Sequence, residues 1–160
     1  MPQKAKPTIY LETSVISAYF DFKKQDQSRK LITKKFFKEE LSKYQVFISN
    51  AVIEELRNTP NKHARHAFLS FAKQFSIIAL NKKIINLAQD YIRKKIIPSA
   101  KLFDAYHLAV AAIHKIDILV SWNYNHIANK FTEEQINKFN ASQKYHQITI
   151  EFPLKLLTPK

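Results

Sequence analysis

Five short apolar runs, Thr8–Leu11, Gln45–Ser49, Phe75–Ala79, Asp117–Ser121 and Gln147–Ile150, are separated by segments whose apolar residues recur at helical spacing. Short β runs alternating with helices predict a parallel, helix-covered sheet. After Thr13-Ser14, either of which is placed to cap, Val15, Ile16, Tyr19 and Phe20 keep helical spacing. Ser28 to Leu41 gathers Leu31, Ile32, Phe36, Phe37 and Leu41 on one side of a charged helix. Ser49 or Asn50 caps a helix through Val52, Ile53 and Leu56, which Asn58-Thr59-Pro60 stops. Ala64 to Ala72 and Lys82 to Lys95 are amphipathic, and Asn137 to His146 is polar but helix-compatible. Ala100 to His114 is apolar nearly all round, interrupted only by Asp104 and His107, which marks a buried helix.

At 160 residues and 46% apolar content the chain is read as one domain over residues 1–160, with no internal repeat or linker. Cysteine is absent, which excludes disulfide frameworks and thiolate chemistry. Glycine is absent too, which excludes the Gly-rich phosphate loops of nucleotide-binding enzymes. Met1 to Lys6 is followed by no apolar stretch of signal-peptide length and no segment approaches a membrane span, so a cytoplasmic protein is expected. Lys plus Arg number 26 against 13 Asp plus Glu, a net charge of +13 that points to a polyanionic partner. Part of that excess also reads as a Lys-rich composition with no functional meaning.

Four polar residues stand where the apolar patterns should forbid them: Glu12, Glu55, Asp104 and Asn123. In an open parallel sheet, ligands bind beyond the carboxyl ends of the strands where the strand order reverses. Glu12 directly follows the first strand and Asn123 follows the Asp117–Ser121 run by two residues. Glu55 lies one to two turns into the helix after the second strand, and Asp104 lies in the first turns of the buried helix, near its positive end. An ionised carboxylate in a core is costly unless paired or bound to a cation, so their convergence suggests one cation site. Each also has a structural reading. Glu55 has a neighbour in Glu54, and either faces water on an amphipathic helix. Glu12 pairs with a lysine, Asp104 is a helix-start acid, and Asn123 caps a helix through His126, Ile127 and Phe131 or bonds its own turn. His63 and His66, at i,i+3, read as a solvated face, and His107 as a hydrogen-bonded core residue rather than a general base. The basic run from Lys23 to Lys38 reads as a wet helical surface that also flanks the cleft.

These residues carry a resemblance. Ile9-Tyr10-Leu11-Glu12-Thr13-Ser14-Val15-Ile16 resembles the opening motif of PIN-domain nucleases, and Ile48-Ser49-Asn50-Ala51-Val52-Ile53-Glu54-Glu55-Leu56 is similar to the second motif, whose acid precedes Leu. Asp104-Ala105-Tyr106-His107-Leu108-Ala109 resembles the third, and Leu119-Val120-Ser121-Trp122-Asn123 matches the fourth in position. The resemblance spans roughly residues 8–152. It implies a three-layer α/β/α domain with a central parallel sheet of about five strands and an endonucleolytic ribonuclease using magnesium or manganese. Glu12, Glu55 and Asp104 would be metal ligands, with Asn123 a fourth catalytic position. Thr13 and Ser14 would position water or phosphate, or else cap the helix. Among such domains the stand-alone VapC-type toxins of toxin–antitoxin pairs are most alike, which implies an antitoxin partner and homodimerisation. The family usually carries Asp at the first and fourth positions, where this chain has Glu12 and Asn123, and a second metal would be held less firmly. Two other readings stay open: a PIN-like module that has lost chemistry and only holds RNA or a protein, and unrelated structural ion pairs in a basic α/β domain.

Overall fold

The structure, a computed structural model, describes residues 5–159. Its strands are β1 (Thr8–Leu11), β2 (Gln45–Ser49), β3 (Ser76–Ile78), β4 (Ile118–Val120) and β5 (Thr149–Glu151), all parallel and ordered β3-β2-β1-β4-β5. Helices α1 (Thr13–Phe20), α2 (Gln27–Glu39), α3 (Asn50–Arg57), α4 (Lys62–Ala72), α5 (Lys82–Arg93), α6 (Leu102–Ile113) and α7 (Lys130–Ser142) cover it in the α/β/α arrangement. Three consecutive residues of β1, Ile9, Tyr10 and Leu11, are fully buried. This is how a central parallel strand covered on both faces reads.

The chain builds outward from β1 through β2 to β3, then returns to the other side of β1 for β4 and β5. The order therefore reverses between β1 and β4, and a crevice opens at their carboxyl ends. Leu11 pairs with Val120, and the Glu12 N–H donates to the Val120 carbonyl at 3.0 Å. That register sets Glu12 beside Ser121 at the mouth of the crevice. The buried face of α6, with Ala105, Leu108, Ala109, Val110 and Ala111 all fully inaccessible, carries Asp104 to the same end. No helix among the described residues is long and apolar enough to cross a membrane.

Boundaries differ from the sequence reading in a few places. β3 and β4 are one residue shorter at each end, β5 is shifted toward the C-terminus, and α6 starts at Leu102 after a 3-10 turn at Ser99–Lys101. Neither Thr13 nor Ser14 caps α1; its N-cap is Glu12, and both hydroxyls are drawn to carboxylates instead. Of the two structural readings of Asn123, the helix cap fails and the bond within its own turn holds, since its Oδ1 accepts the His126 N–H. Residues 124–128 form a turn, and α7 begins at Lys130 with Asn129 as its cap, accepting from the Thr132 N–H. Asn129 wins because its side chain reaches the first free N–H of the helix while Asn123 is used within the turn. Ser49, rather than Asn50, caps α3 by accepting from Ala51 N–H.

Without glycine, the left-handed turns fall to other residues: Asp21, Lys24, Lys95, Lys115 and Lys144 all have positive φ. Lys95, Lys115 and Lys144 each stand just past a helix end, followed by Ile96, Ile116 and Tyr145, whose N–H groups reach back to the carbonyls of Tyr91, Ala111 and Asn140. This is the Schellman closure, in which glycine is normally favoured. A Cβ in the left-handed region costs roughly 1–2 kcal/mol, offset in part by a cation at a helix C-terminus. Lys115→Gly is expected to raise stability by about 0.5–1 kcal/mol, read as a higher urea midpoint at unchanged slope. A lower midpoint would show that the lysine's charge outweighs the backbone strain.

Candidate functional site

A cavity of about 730 Å³ opens at the reversal, lined by residues from β1–α1, α2, α3 and the turn after β4. Glu12 and Glu55 face it, and Asp21, Arg29, Trp122 and Asn123 contribute to its walls. Glu12 is 4% exposed. Its Oε1 accepts two hydroxyl bonds, from Ser14 Oγ at 2.5 Å and Ser121 Oγ at 2.6 Å. Glu55 Oε1 likewise takes both of its bonds, from Thr13 Oγ1 at 2.6 Å and His107 Nε2 at 2.5 Å. Its neighbour Glu54 pairs with Arg57 at 2.6 Å on the surface. Each site acid thus has one oxygen held by the protein and one unclaimed among the described residues.

Asp104 is buried beside this pair, and its Oδ2 is the one inaccessible side-chain polar atom among the described residues with no hydrogen-bond partner. Its other oxygen receives Asn123 Nδ2 at 3.5 Å. Burial raises the Asp104 carboxyl above its ordinary value; His107 is the strongest influence against it, and the negative charges of Glu12 and Glu55 add to the rise. Asn123 Oδ1 accepts from His126 N–H at 3.3 Å, so its side chain closes the local turn and meets Asp104 at once.

His107 is the buried, hydrogen-bonded core residue that the sequence suggests, and its partner is a site acid. One of its ring nitrogens belongs to a set with Glu12 and Glu55 whose potential ligand atoms lie within 4.8 Å of one another. Yet both nitrogens are engaged: Nε2 with Glu55 and Nδ1 with the Tyr10 hydroxyl at 2.6 Å, which in turn meets Ser49 Oγ at 2.7 Å. A histidine so bound orients a carboxylate rather than ligating a cation itself. Burial alone would lower His107, but the Glu55 hydrogen bond and the charges of Glu55, Glu12 and Asp104 raise it overall. Burial alone would raise Glu55, but the bond and charge of His107 and the Thr13 hydroxyl lower it overall. The opposite shifts favour the ion-paired form of His107 and Glu55, and burial keeps the Tyr10 phenol well above its ordinary value and so protonated.

The structure therefore brings Glu12, Glu55 and Asn123 to the cavity wall, with Thr13 and Ser14 as hydroxyl donors to the two glutamates, while Asp104 lies buried against Asn123, outside the cavity lining and outside the set of ligand atoms within 4.8 Å. His63 and His66 lie on the exposed face of α4. Of the basic run, Arg29 reaches the cavity wall, its guanidinium 5.2 Å from the Trp122 ring centroid. Sequence reasoning passed over Ser121, Tyr10 and Ser49. Ser121 sits at the register position next to Glu12, a signal readable once strand pairing is known. Tyr10 and Ser49 carry no signal beyond a hydroxyl on a buried strand.

The sequence profile of the PIN domain matches residues 9–130. A search of curated protein sequences finds no match. Among solved structures, the fold is similar to the Mycobacterium tuberculosis toxin VapC20, described as Sarcin-Ricin loop cleaving (TM-score 0.56, 17% identity, covering 70% of this chain and 87% of that one). It is also similar to a toxin–antitoxin complex from Klebsiella pneumoniae (TM-score 0.57, 19% identity, 77% and 92% covered) and to VapBC-1 from nontypeable Haemophilus influenzae (TM-score 0.51, 13% identity, 91% and 98% covered).

The His107–Glu55 pair predicts a pH signature. A raised His107 contributes stability that is complete below its unfolded value of 6.5 and is lost as pH rises through its folded value. A lowered Glu55 contributes above its unfolded value of 4.5 and is lost as pH falls through its folded value. The contribution is therefore complete between 4.5 and 6.5. In chelator, the stability of wild type relative to Glu55→Gln is expected to be greatest in that window and to shrink toward alkaline pH. A pH-independent difference in urea unfolding would show that His107 stays neutral beside Glu55.

Proposed function

We propose that this chain, which belongs to the PIN domain family, is a metal-dependent endoribonuclease of the toxin type, hydrolysing RNA phosphodiester bonds at the Glu12–Glu55–Asp104 cluster. The observation that carries this reading is the set of three unclaimed carboxylate oxygens: Glu12 Oε2, Glu55 Oε2 and the buried, partnerless Asp104 Oδ2. A hard cation takes oxygen ligands and satisfies such a cluster. Among the described residues no lysine or arginine pairs with any of the three acids. When bound, magnesium or manganese supplies a Lewis acid that polarises the phosphate and makes water a better nucleophile.

The chain's own residues do the rest. Ser14 and Ser121 fix the Glu12 carboxylate, and the Ser14 oxygen is itself held by Trp122 N–H at 2.8 Å. Thr13 and His107 fix Glu55, with His107 backed by Tyr10 and Ser49. Ligands held this way keep their geometry when substrate arrives. Arg29 at the wall provides a cation for the RNA backbone, and the net charge of +13 favours polyanion capture. An antitoxin partner belongs to the same reading, supported by the fold shared with the Klebsiella pneumoniae toxin–antitoxin complex.

Asp104→Asn is expected to lower magnesium-stimulated RNA cleavage by about two orders of magnitude or more. Because the Asp104 carboxyl is raised, its ionised form costs stability above the ordinary value of 3.8, and the variant is expected to melt higher than wild type in chelator at neutral pH. Undiminished cleavage by a folded Asp104→Asn protein would assign the activity elsewhere. Asn123→Asp adds a fourth carboxylate. It is expected to lower the magnesium concentration for half-maximal cleavage and to reduce the melting temperature in chelator, with magnesium restoring it. Melting curves of both proteins that ignore magnesium, with no cleavage by either, would leave only the binding module.

A further inference from the structure

Beside the acid-lined cavity lies a second one of about 550 Å³, and the two share Tyr124 and Asn125. A continuous stack joins them. Arg29 lies over Trp122, Trp122 stacks on Phe152 at 5.7 Å and 29°, and Phe152 stacks on Tyr124 at 6.3 Å and 16°. The stack begins at the wall of the first cavity and ends on Tyr124, which is 61% exposed and has no second ring partner among the described residues. Across the second cavity, Phe131 is 73% exposed. Aromatic side chains left in water at the rim of a cleft mark a binding surface.

The rim is also charged. Lys130 and Lys155 line it. Lys130 is shared with Glu133 at 3.4 Å and Glu151 at 3.9 Å, while Lys155 has no ion pair among the described residues. Flat apolar faces with an adjacent cation suit single-stranded nucleic acid, since any base offers a π face and each carries a phosphate. A strand lying along both cavities, from the acids of the first into the second, crosses Tyr124, because that residue lines both.

We propose that the second cavity is a base-stacking subsite for the single-stranded RNA flanking the scissile bond. One base stacks on the outer face of Tyr124 toward Phe131, and its phosphate is met by Lys155. The inference rests on the nuclease reading and gives that site its substrate form: an unpaired strand gripped by base stacking beside the cut.

The test is fluorescence anisotropy of a short labelled oligouridylate and its abasic analogue, in chelator, with wild type, Tyr124→Leu, Tyr124→Trp and Lys155→Ala. Cleavage of total RNA in magnesium is followed in parallel, and melting curves check that each variant is folded. Tyr124→Leu keeps apolar bulk but removes the ring; it is expected to weaken oligouridylate binding about tenfold. It should leave the abasic analogue unaffected, while Tyr124→Trp retains or tightens binding. Lys155→Ala is expected to reduce the slope of log affinity against log salt by about 0.7, the loss of one phosphate contact. Wild type that binds and cleaves RNA, with oligouridylate affinity unchanged in Tyr124→Leu, overturns the subsite alone and leaves this face to a protein partner. Wild type that neither binds nor cleaves RNA overturns the nuclease reading and the subsite with it.

Discussion

Three carboxylates brought to one crevice repel one another, and the local architecture is organised around holding them there. Burial raises the cost, since the repulsion acts where water screens poorly. The chain contains 26 lysines and arginines, yet the crevice acids pair with none of them among the described residues. A cluster selected for stability alone would recruit one. Instead hydroxyls and one histidine fix the acids through a single oxygen each, which orders them without neutralising the unclaimed oxygens. His107 eases the repulsion, because its raised basicity favours a positive charge beside Glu55.

The scaffold that presents the acids also explains part of the chain's basicity. Lys115 and Lys144 occupy left-handed positions just ahead of β4 and β5, at the sheet edge opposite the crevice. There they close helices and complement helix dipoles, so their charge has a structural origin. Surface pairs such as Arg57 with Glu54 and Arg93 with Asp90 are one helical turn apart and contribute little. What remains beside the cavities is local: Arg29 at the wall of the first and Lys155 at the rim of the second. Net charge therefore indicates a class of partner without locating its footprint.

How far the site was legible follows from sequence separation. Glu12 and Asn123 were readable because strand ends can be found from local pattern, and parallel order puts strand ends together. Asp104 was readable because an acid within an all-round apolar helix has no local explanation. The choice of Glu55 over Glu54 needed the motif, since helical spacing alone favours neither; the structure gives Glu54 to Arg57 and turns Glu55 inward. The His107–Glu55, Tyr10–His107 and Ser121–Glu12 bonds were not readable, because their partners lie 52, 97 and 109 residues apart and depend on register. The helix expected after Asn123 failed for a local reason: Asn129 offers a competing cap six residues on, and the turn between consumes the Asn123 side chain.

That turn is where the acid cluster and the aromatic stack meet. Asn123 Oδ1 accepts the His126 N–H and so shapes the turn that carries Tyr124, while its amide nitrogen faces Asp104. A carboxylate at this position keeps the turn acceptor but sets a second negative oxygen against Asp104, whose own ionisation burial already opposes. A neutral amide offers an acceptor on one side and a donor on the other, and so closes the turn without adding charge beside Asp104. The departure from Asp at this position therefore spares the crevice a further like-charge repulsion while the turn keeps the pose of Tyr124.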